Sequence, residues 1–408
     1  MKNIFTFFLF IFSFSFLLVS CKSDSDDDLP ANVANLKDDN HWFFDFNGTV
    51  DGGEGWDLIK SSVDGKLYVC GAFLHVNNNW DMKNLARLNL SDYTWEQVPG
   101  IDEYTTNFIR CVAEDSDGNL YFGGDFSTIG GTPAHRVAKF NPSTGEWSAL
   151  RDIDFYIEGE QYGPVSGGVY AIEVINNYVY IGGGIFNSDS TELRYIRRFN
   201  LTSNKWENVP GGVNADVNAF EKDASGNLYV GGEFTQAGNI TANYIAKWDG
   251  TNWSALGSGT DDYVLAIECS GTNVYAGGSF KNVGENIRSQ GIAKWTGTNW
   301  EAMDKGVDES DGSTYSVEEI AVDSDGLVYI GGYFNITYSD LDTLNHVGVF
   351  MENKWRQLGS GLGQTSTQGV MGIYADGKNI YFTGYFSKGT GSGNDHINMA
   401  IWNEDETF

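Results

Sequence analysis

Side chains able to do chemistry are spread along this sequence at regular intervals rather than gathered into one motif. Seven apolar stretches each carry one position that is not consistently apolar: Asp57, Arg110, Tyr170, Asn218, Leu265, Glu318 and Met371, aligned on the distance to a following Tyr. Two places on stand Ile59, Val112, Ile172, Phe220, Ile267, Ile320 and Ile373, all apolar. A uniform deep position beside a variable one is the pattern of equivalent strands lining a mouth. Long polar segments add carboxylates and aromatics together: Arg151 to Gly168 with Asp154 and Tyr156, Asp261-Asp262-Tyr263, and Asp304 to Tyr315 with Asp308. Carboxylates accept hydroxyl hydrogens and aromatic faces cover sugar rings, so the pairing suits a glycan, and it suits a cationic protein equally. The catalytic alternative is a carboxylate pair, such as Glu318 with Asp57 or Asp308, held roughly 5 to 10 Å apart with one member desolvated.

The elements that must position these residues come from an internal repeat. One string recurs as LYVCGAF (67–73), LYFGGDF (120–126), VYIGGGIF (179–186), LYVGGEF (228–234), VYAGGSF (274–280), VYIGGYF (328–334) and IYFTGYF (380–386). From Phe73 to Phe386 the spacing averages about 52 residues, too long for a solenoid unit and right for a four-stranded propeller blade. Before each copy lies an apolar strand ending in a tight turn, such as Asp117-Gly118 or Asp325-Gly326, and after it come a loop and a third strand such as IAKW (245–248). A fourth strand opens on tryptophan at 95, 147, 206, 253, 300 and 355, which is six positions for seven blades. The seventh is found at the other end of the chain, where Asn40 to Gly48 matches Thr251 to Gly259 in its Trp, its apolar position and its closing Gly. The expected fold is therefore all-β, a seven-bladed β-propeller of four-stranded blades whose ring is closed by an N-terminal strand, 41–47, completing the last blade.

In such a blade the loops entering the inner strand and those joining second to third strand share one face, and the opposite face holds only short turns. Function belongs on the long-loop face. His75, His135, His346 and His396 precede third strands, about 9 to 10 Å outside the inner ring, so they diverge and cannot share one ion. Cys70, Cys111 and Cys269 sit within strands, where cysteine behaves as a small apolar residue. No cofactor is expected. Calcium is the one candidate ion, on acid-rich segments such as Asp115 to Gly118 and Asp323 to Gly326, which also read as ordinary turns and complete no EF-hand loop.

Composition agrees with this architecture. With 51 Gly, 12 Trp, 21 Tyr and 26 Phe in 408 residues, the chain is neither disordered nor helical. A net charge of −30 makes nucleic acid a poor partner. Residues 1–20 read as a secretory signal, 21–40 as a polar, acidic tether, and 41–408 as the propeller.

Three resemblances extend the reading. Leu18-Val19-Ser20-Cys21 resembles the lipobox of bacterial lipoproteins, which implies that Cys21 is the acylated first residue of the mature protein and anchors it to a membrane. The acidic run after it, Lys22 to Asp28, resembles the export signal of Bacteroidota surface lipoproteins, which implies an outer membrane protein exposed at the cell surface. The repeats resemble the kelch class of propeller, as in FNPSTGEW (140–147), and more closely the repeats of secreted bacterial propellers and of the Rax2-type cortical polarity markers, as in YVGGEF followed by IAKWDGTNWSALGSG. The function expected is binding of an extracellular glycan or protein through the long-loop face, without chemistry, by a monomer or a member of an envelope complex. A polysaccharide-acting enzyme and a structural scaffold are the alternatives.

Overall fold

The computed structural model describes residues 39–44, 46, 50–101, 107–150, 167–185, 195–310, 312, 314–363, 365–387 and 398–403. The signal 1–20 with Cys21, the tether up to 38, Asp154, Tyr156 and His396 lie outside the described residues. The chain forms a ring of seven four-stranded antiparallel blades. Each blade runs outward from the centre, the first as Gly55–Lys60, Leu67–Gly71, Leu85–Asn89 and Thr94–Gln97.

The seventh blade closes the ring as the repeat arithmetic requires. Its inner three strands are Gly369–Asp376, Asn379–Tyr385 and Met399–Asn403, and its outer strand is Trp42–Phe43 from the other end of the chain. The pairing is short, Trp42 to Trp402 and Phe43 to Ile401, and a single 3-10 turn over Asp39–His41 leads into it.

There is no single core. Seven apolar clusters, each drawn largely from two neighbouring blades, fill the wedges between them. The fourth-strand tryptophans tie the wedges together by a device that composition alone does not reveal. The indole N–H of Trp147, Trp206, Trp253, Trp300, Trp355 and Trp42 donates to a main-chain carbonyl just past the fourth strand of the preceding blade, at 2.7–3.1 Å. Each ring also packs on the aromatic that closes its own third strand, as Trp253 does on Trp248 with centroids 5.2 Å apart. Burial and a satisfied donor both fix the Trp here.

Every inner strand carries a β-bulge at the same level, and this detail positions the site. The bulged residues are Trp56, Arg110, Tyr170, Asn218, Leu265, Glu318 and Met371, each skipped by the ladder to the second strand. The first-blade member of the ring is thus Trp56, not Asp57, which corrects the alignment drawn from sequence. The turn between inner and second strands spans 61–66 in the first blade and only 115–119 in the second, so counting back from the Tyr slips the first blade by one. Leu58, not Ile59, is then the deep apolar partner, and it is buried.

The bulge also explains the second glycine of the repeated pair. A Cβ on Gly124, Gly232, Gly278 or Gly332 would lie 2.1–2.2 Å from the carbonyl oxygen that the bulge drives against the second strand. The first glycine has a different cause: a Cβ on Gly123, Gly182, Gly231, Gly277 or Gly331 would meet a valine of the next blade at 2.4–2.8 Å, and at Gly182 also the Phe220 ring of that blade at 2.7 Å. Where the seventh blade has Thr383 at that position, the facing residue of the first blade is Gly55, an exchange of bulk across the closing wedge. Gly278→Ala is expected to lower stability by roughly 1–3 kcal/mol or more through overpacking against rigid backbone, measured by urea unfolding. An unchanged midpoint contradicts that role for the bulge.

The segments between second and third strands are more ordered than sequence suggests. In the second, fourth and fifth blades they form two-stranded ribbons such as Gln236–Ala237 with Ile240–Thr241. In the first and sixth blades they pair with the segment entering the inner strand, as Val307–Asp308 does with Ile336–Thr337. The opposite face is closed by Asp-capped turns. Asp115 Oδ1 accepts from the N–H groups of Asp117 and Asn119 at 3.0 and 2.9 Å, and its Oδ2 takes the Tyr121 hydroxyl at 3.0 Å. Asp323 caps the equivalent turn and receives Tyr329. These acids work as turn caps, which also accounts for the Tyr of the repeated string.

Candidate functional site

The bulge ring surrounds a cavity of about 280 Å³ at the long-loop end of the central channel. Of the site residues read from sequence, Asp57, Arg110, Tyr170, Asn218 and Glu318 line it, together with Trp56 and Glu319. Asp262, Tyr263 and Asp308 share its face but not its lining. The Asp262 carboxylate accepts from the N–H of Tyr263 at 2.9 Å, and that of Asp308 from the N–H of Glu309 at 2.9 Å, so both shape their own loops.

Arg110 is held from three sides. Its guanidinium carbon lies 4.7 Å from the centre of the Trp56 ring and 5.0 Å from that of Tyr170, and its Nε and one terminal nitrogen each lie 2.8 Å from Asp125 Oδ2. Cation–π contacts and a charge-assisted pair therefore engage the one cation of the ring before any ligand arrives. Trp56 in turn donates its indole N–H to Glu54 at 2.9 Å and meets the edge of Phe108 at 5.3 Å.

The acids of the mouth are desolvated. Burial pushes Asp57 up to about 6, opposed by hydrogen bonds from the N–H groups of Val112 and Leu58 at 2.8 and 2.7 Å. The Val112 bond crosses to the second blade. Glu319 is raised well above the usual carboxylate range by burial and then by the charge of Asp57, and Glu318 is raised by burial while accepting from the Ser316 hydroxyl. The charge that acts on Asp57 is that of Glu173, and Asp57 acts in turn on Glu319; neither Glu318 nor Asp308, the partners supposed by the catalytic alternative, is among the causes of the Asp57 shift.

Below the mouth the channel widens into a cavity of about 480 Å³, whose lining includes Glu173, Glu221 and Glu268. All three occupy one level, each opposite the Tyr of the repeated string on three successive blades. Lys222 reaches Glu173 at 2.7 Å. Glu221 is raised well above its ordinary range by burial and by Glu173 and Glu268, and burial with the charge of Glu173 lifts Glu268 to about 8. These residues escaped the sequence reading, although Ala171-Ile172-Glu173, Ala219-Phe220-Glu221 and Ala266-Ile267-Glu268 carry the signal: an acid recurring inside an apolar strand.

The histidines stand apart from this site. His346 is buried with Nδ1 at 3.2 Å from the Gly332 carbonyl, and burial lowers it to about 4. His75 lies against Asp51 and Trp80. Cys70 and Cys111 are buried and Cys269 half-buried, and none of the three forms a disulfide.

Large exposed apolar side chains mark the same face. Leu74, Trp80, Phe108, Tyr263, Ile287 and Leu341 lie on the long-loop side, and among the described residues only Val63 of this class lies on the turn side.

Comparison with known proteins supports the architecture. Residues 106–268 match the family model of the Rax2 C-terminal beta propeller domain, so the resemblance drawn from the repeats holds over that stretch, and residues 64–92 match a beta-propeller domain of unknown function. No curated protein matches the chain. Among solved structures it is similar to the extracellular domain of a putative one component system from B. thetaiotaomicron, with TM-score 0.52 and 13% identity over 88% of this chain and 40% of that one. A second structure, of the extracellular domain described as that of a putative hybrid two component system from the same organism, gives 0.52 and 12% over the same shares. Virginiamycin B lyase from Staphylococcus aureus follows at 0.49 and 12%, covering 87% of this chain and 97% of that one. The chain therefore spans about two fifths of the first two neighbours.

Proposed function

We propose that this protein is a lipid-anchored propeller on the outer face of the outer membrane that binds an extracellular glycan through its long-loop face and performs no chemistry on it. The observation that carries the reading is the asymmetry of the two faces. The exposed aromatics Trp80, Phe108 and Tyr263 share one side with carboxylates and an open mouth, and capped turns close the other. Aromatic rings beside carboxylate acceptors suit sugar rings and hydroxyls. Asp57 also favours binding over hydrolysis, because each of its oxygens already accepts a main-chain N–H, one of them from the next blade.

Cys21 anchorage and the extracellular address rest on the lipobox and the acidic tether, and the extracellular domains among the fold neighbours agree with that address. Proteolysis of intact cells is expected to remove the propeller; a domain untouched until lysis overturns the surface address.

On the binding side, the variant Trp80→Ala/Phe108→Ala/Tyr263→Ala is expected to lose at least 10-fold in glycan affinity by calorimetry, since aromatic contacts contribute about 1 kcal/mol each. Val63→Ala on the turn face should change nothing. Equal affinities for both variants contradict the assignment of the face.

A further inference from the structure

We propose that the 280 Å³ mouth is a subsite for one neutral sugar ring, entered end-on, with Asn218 donating to a ligand oxygen and Asp57, Glu318 and Glu319 accepting ligand hydroxyls. This inference rests on the loop-face reading above and names the ligand group that reaches the centre.

Three observations carry it. The first is an orphaned donor: the side-chain nitrogen of Asn218 is shielded from solvent and has no hydrogen-bond partner. A buried donor left unmade costs about 1–3 kcal/mol, and a ligand oxygen in the mouth relieves that cost. The second is the mixture of groups. A donor amide beside three carboxyls calls for a ligand that gives and accepts hydrogen bonds on neighbouring atoms, as a polyol does and a simple amine does not. Burial raises Asp57, Glu318 and Glu319 together, which shifts each toward its protonated, hydrogen-bond-donating form relative to a carboxyl in water. The third is exclusion. Arg110 is the one cation lining the mouth and is already paired with Asp125, so uronic, sialic and sulfated sugars meet acids with no free countercharge. The volume of the mouth lies just below the roughly 300–1,000 Å³ of sites for drug-sized ligands, enough for one ring at this level of the channel.

Saturation-transfer NMR on the full chain in detergent tests this. Methyl glycosides of glucose, galactose, mannose and N-acetylglucosamine serve as neutral probes, with glucuronic and N-acetylneuraminic acids as anionic ones. At least one neutral probe should receive transfer, at least 5-fold weaker in Asn218→Ala and in Glu318→Gln, while the anionic probes receive none. Leu265→Trp, which fills the mouth and removes no polar group, should abolish transfer, and it decides the matter if either polar variant melts early. Absence of transfer to every neutral probe, stronger transfer to the anionic ones, or insensitivity to Leu265→Trp overturns the subsite. Should longer oligosaccharides still bind and depend on Trp80, Phe108 and Tyr263, the loop-face reading survives that loss; indifference to both sets of variants removes both.

Discussion

Trp42→Ala should cost the protein about 3–5 kcal/mol, the upper end of what a core truncation does. The side chain is buried, its indole N–H donates to the Leu358 carbonyl at 3.1 Å, and its ring packs on Trp402 and Phe382 with centroids 4.9 and 5.4 Å away. In the other blades the equivalent Trp sits on a fourth strand joined to its own third strand by a short turn, as Leu85–Asn89 leads into Thr94–Gln97. Here the strand pairs at two residues only, with help from His41 Nδ1 and the Asn403 carbonyl at 2.7 Å, so losing the indole frees the strand that closes the ring. An unpaired third strand at the seam then exposes a sheet edge. Thermal unfolding should show the same contrast on a larger scale: deletion of 41–47 should be far more damaging than deletion of 22–39. Equal melting temperatures for the two deletions contradict closure by the N-terminal strand.

The second large effect is an inverted pH dependence set by the channel acids. Glu221 and Glu268 have folded-state values raised above those of an unfolded chain, Glu268 to about 8. The folded protein therefore holds protons that the unfolded chain has released. Their contribution to stability is fully present below about pH 4.5, the ordinary glutamate value, and is lost as pH rises toward the folded value near 8. The charged groups facing them are Glu173, Lys222 and Glu319; Lys222 contacts Glu173 at 2.7 Å and also lowers Glu221, but burial and the neighbouring acids outweigh it there. With each pH unit worth about 1.4 kcal/mol, the rise of Glu268 from 4.5 to about 8 sets a ceiling of about 5 kcal/mol, and Glu268→Gln should gain roughly 2–5 kcal/mol at pH 8.5 and nothing at pH 4.5. Glu221→Gln should behave alike, and the double variant should gain less than the sum because the two acids repel one another. Urea unfolding at both pH values gives the answer. A gain that is the same at pH 4.5 and 8.5 contradicts the account.

The repeat made most of this fold readable before any coordinates. Its period set the number of blades, and the displaced Trp42 motif set the closure, because each depends only on a side chain recurring at a fixed distance. The errors arose where a backbone irregularity intervened. One extra residue in the turn 61–66 moved the first-blade mouth position from Trp56 to Asp57, and a side-chain count has no means of locating a bulge. The paired glycines recur in the sequence without naming what they approach, since the carbonyl that excludes a Cβ at Gly232 belongs to Asp216, sixteen residues earlier and across the bulge. Glu173, Glu221 and Glu268 were overlooked because their strands read as core, and only the ring shows that one side of each strand faces the channel. Arg110 was legible as a mouth residue, but its engagement by Trp56, Tyr170 and Asp125 joins three strands and has no local signature.

The central claim is that the long-loop face binds a glycan, and a glycan array probed with the full chain is the most direct test. The account predicts binding to a set of glycans with neutral terminal sugars, lost in Trp80→Ala/Phe108→Ala/Tyr263→Ala and kept in Val63→Ala. A blank array, or binding confined to anionic glycans, contradicts it, and a blank array points instead to a protein ligand.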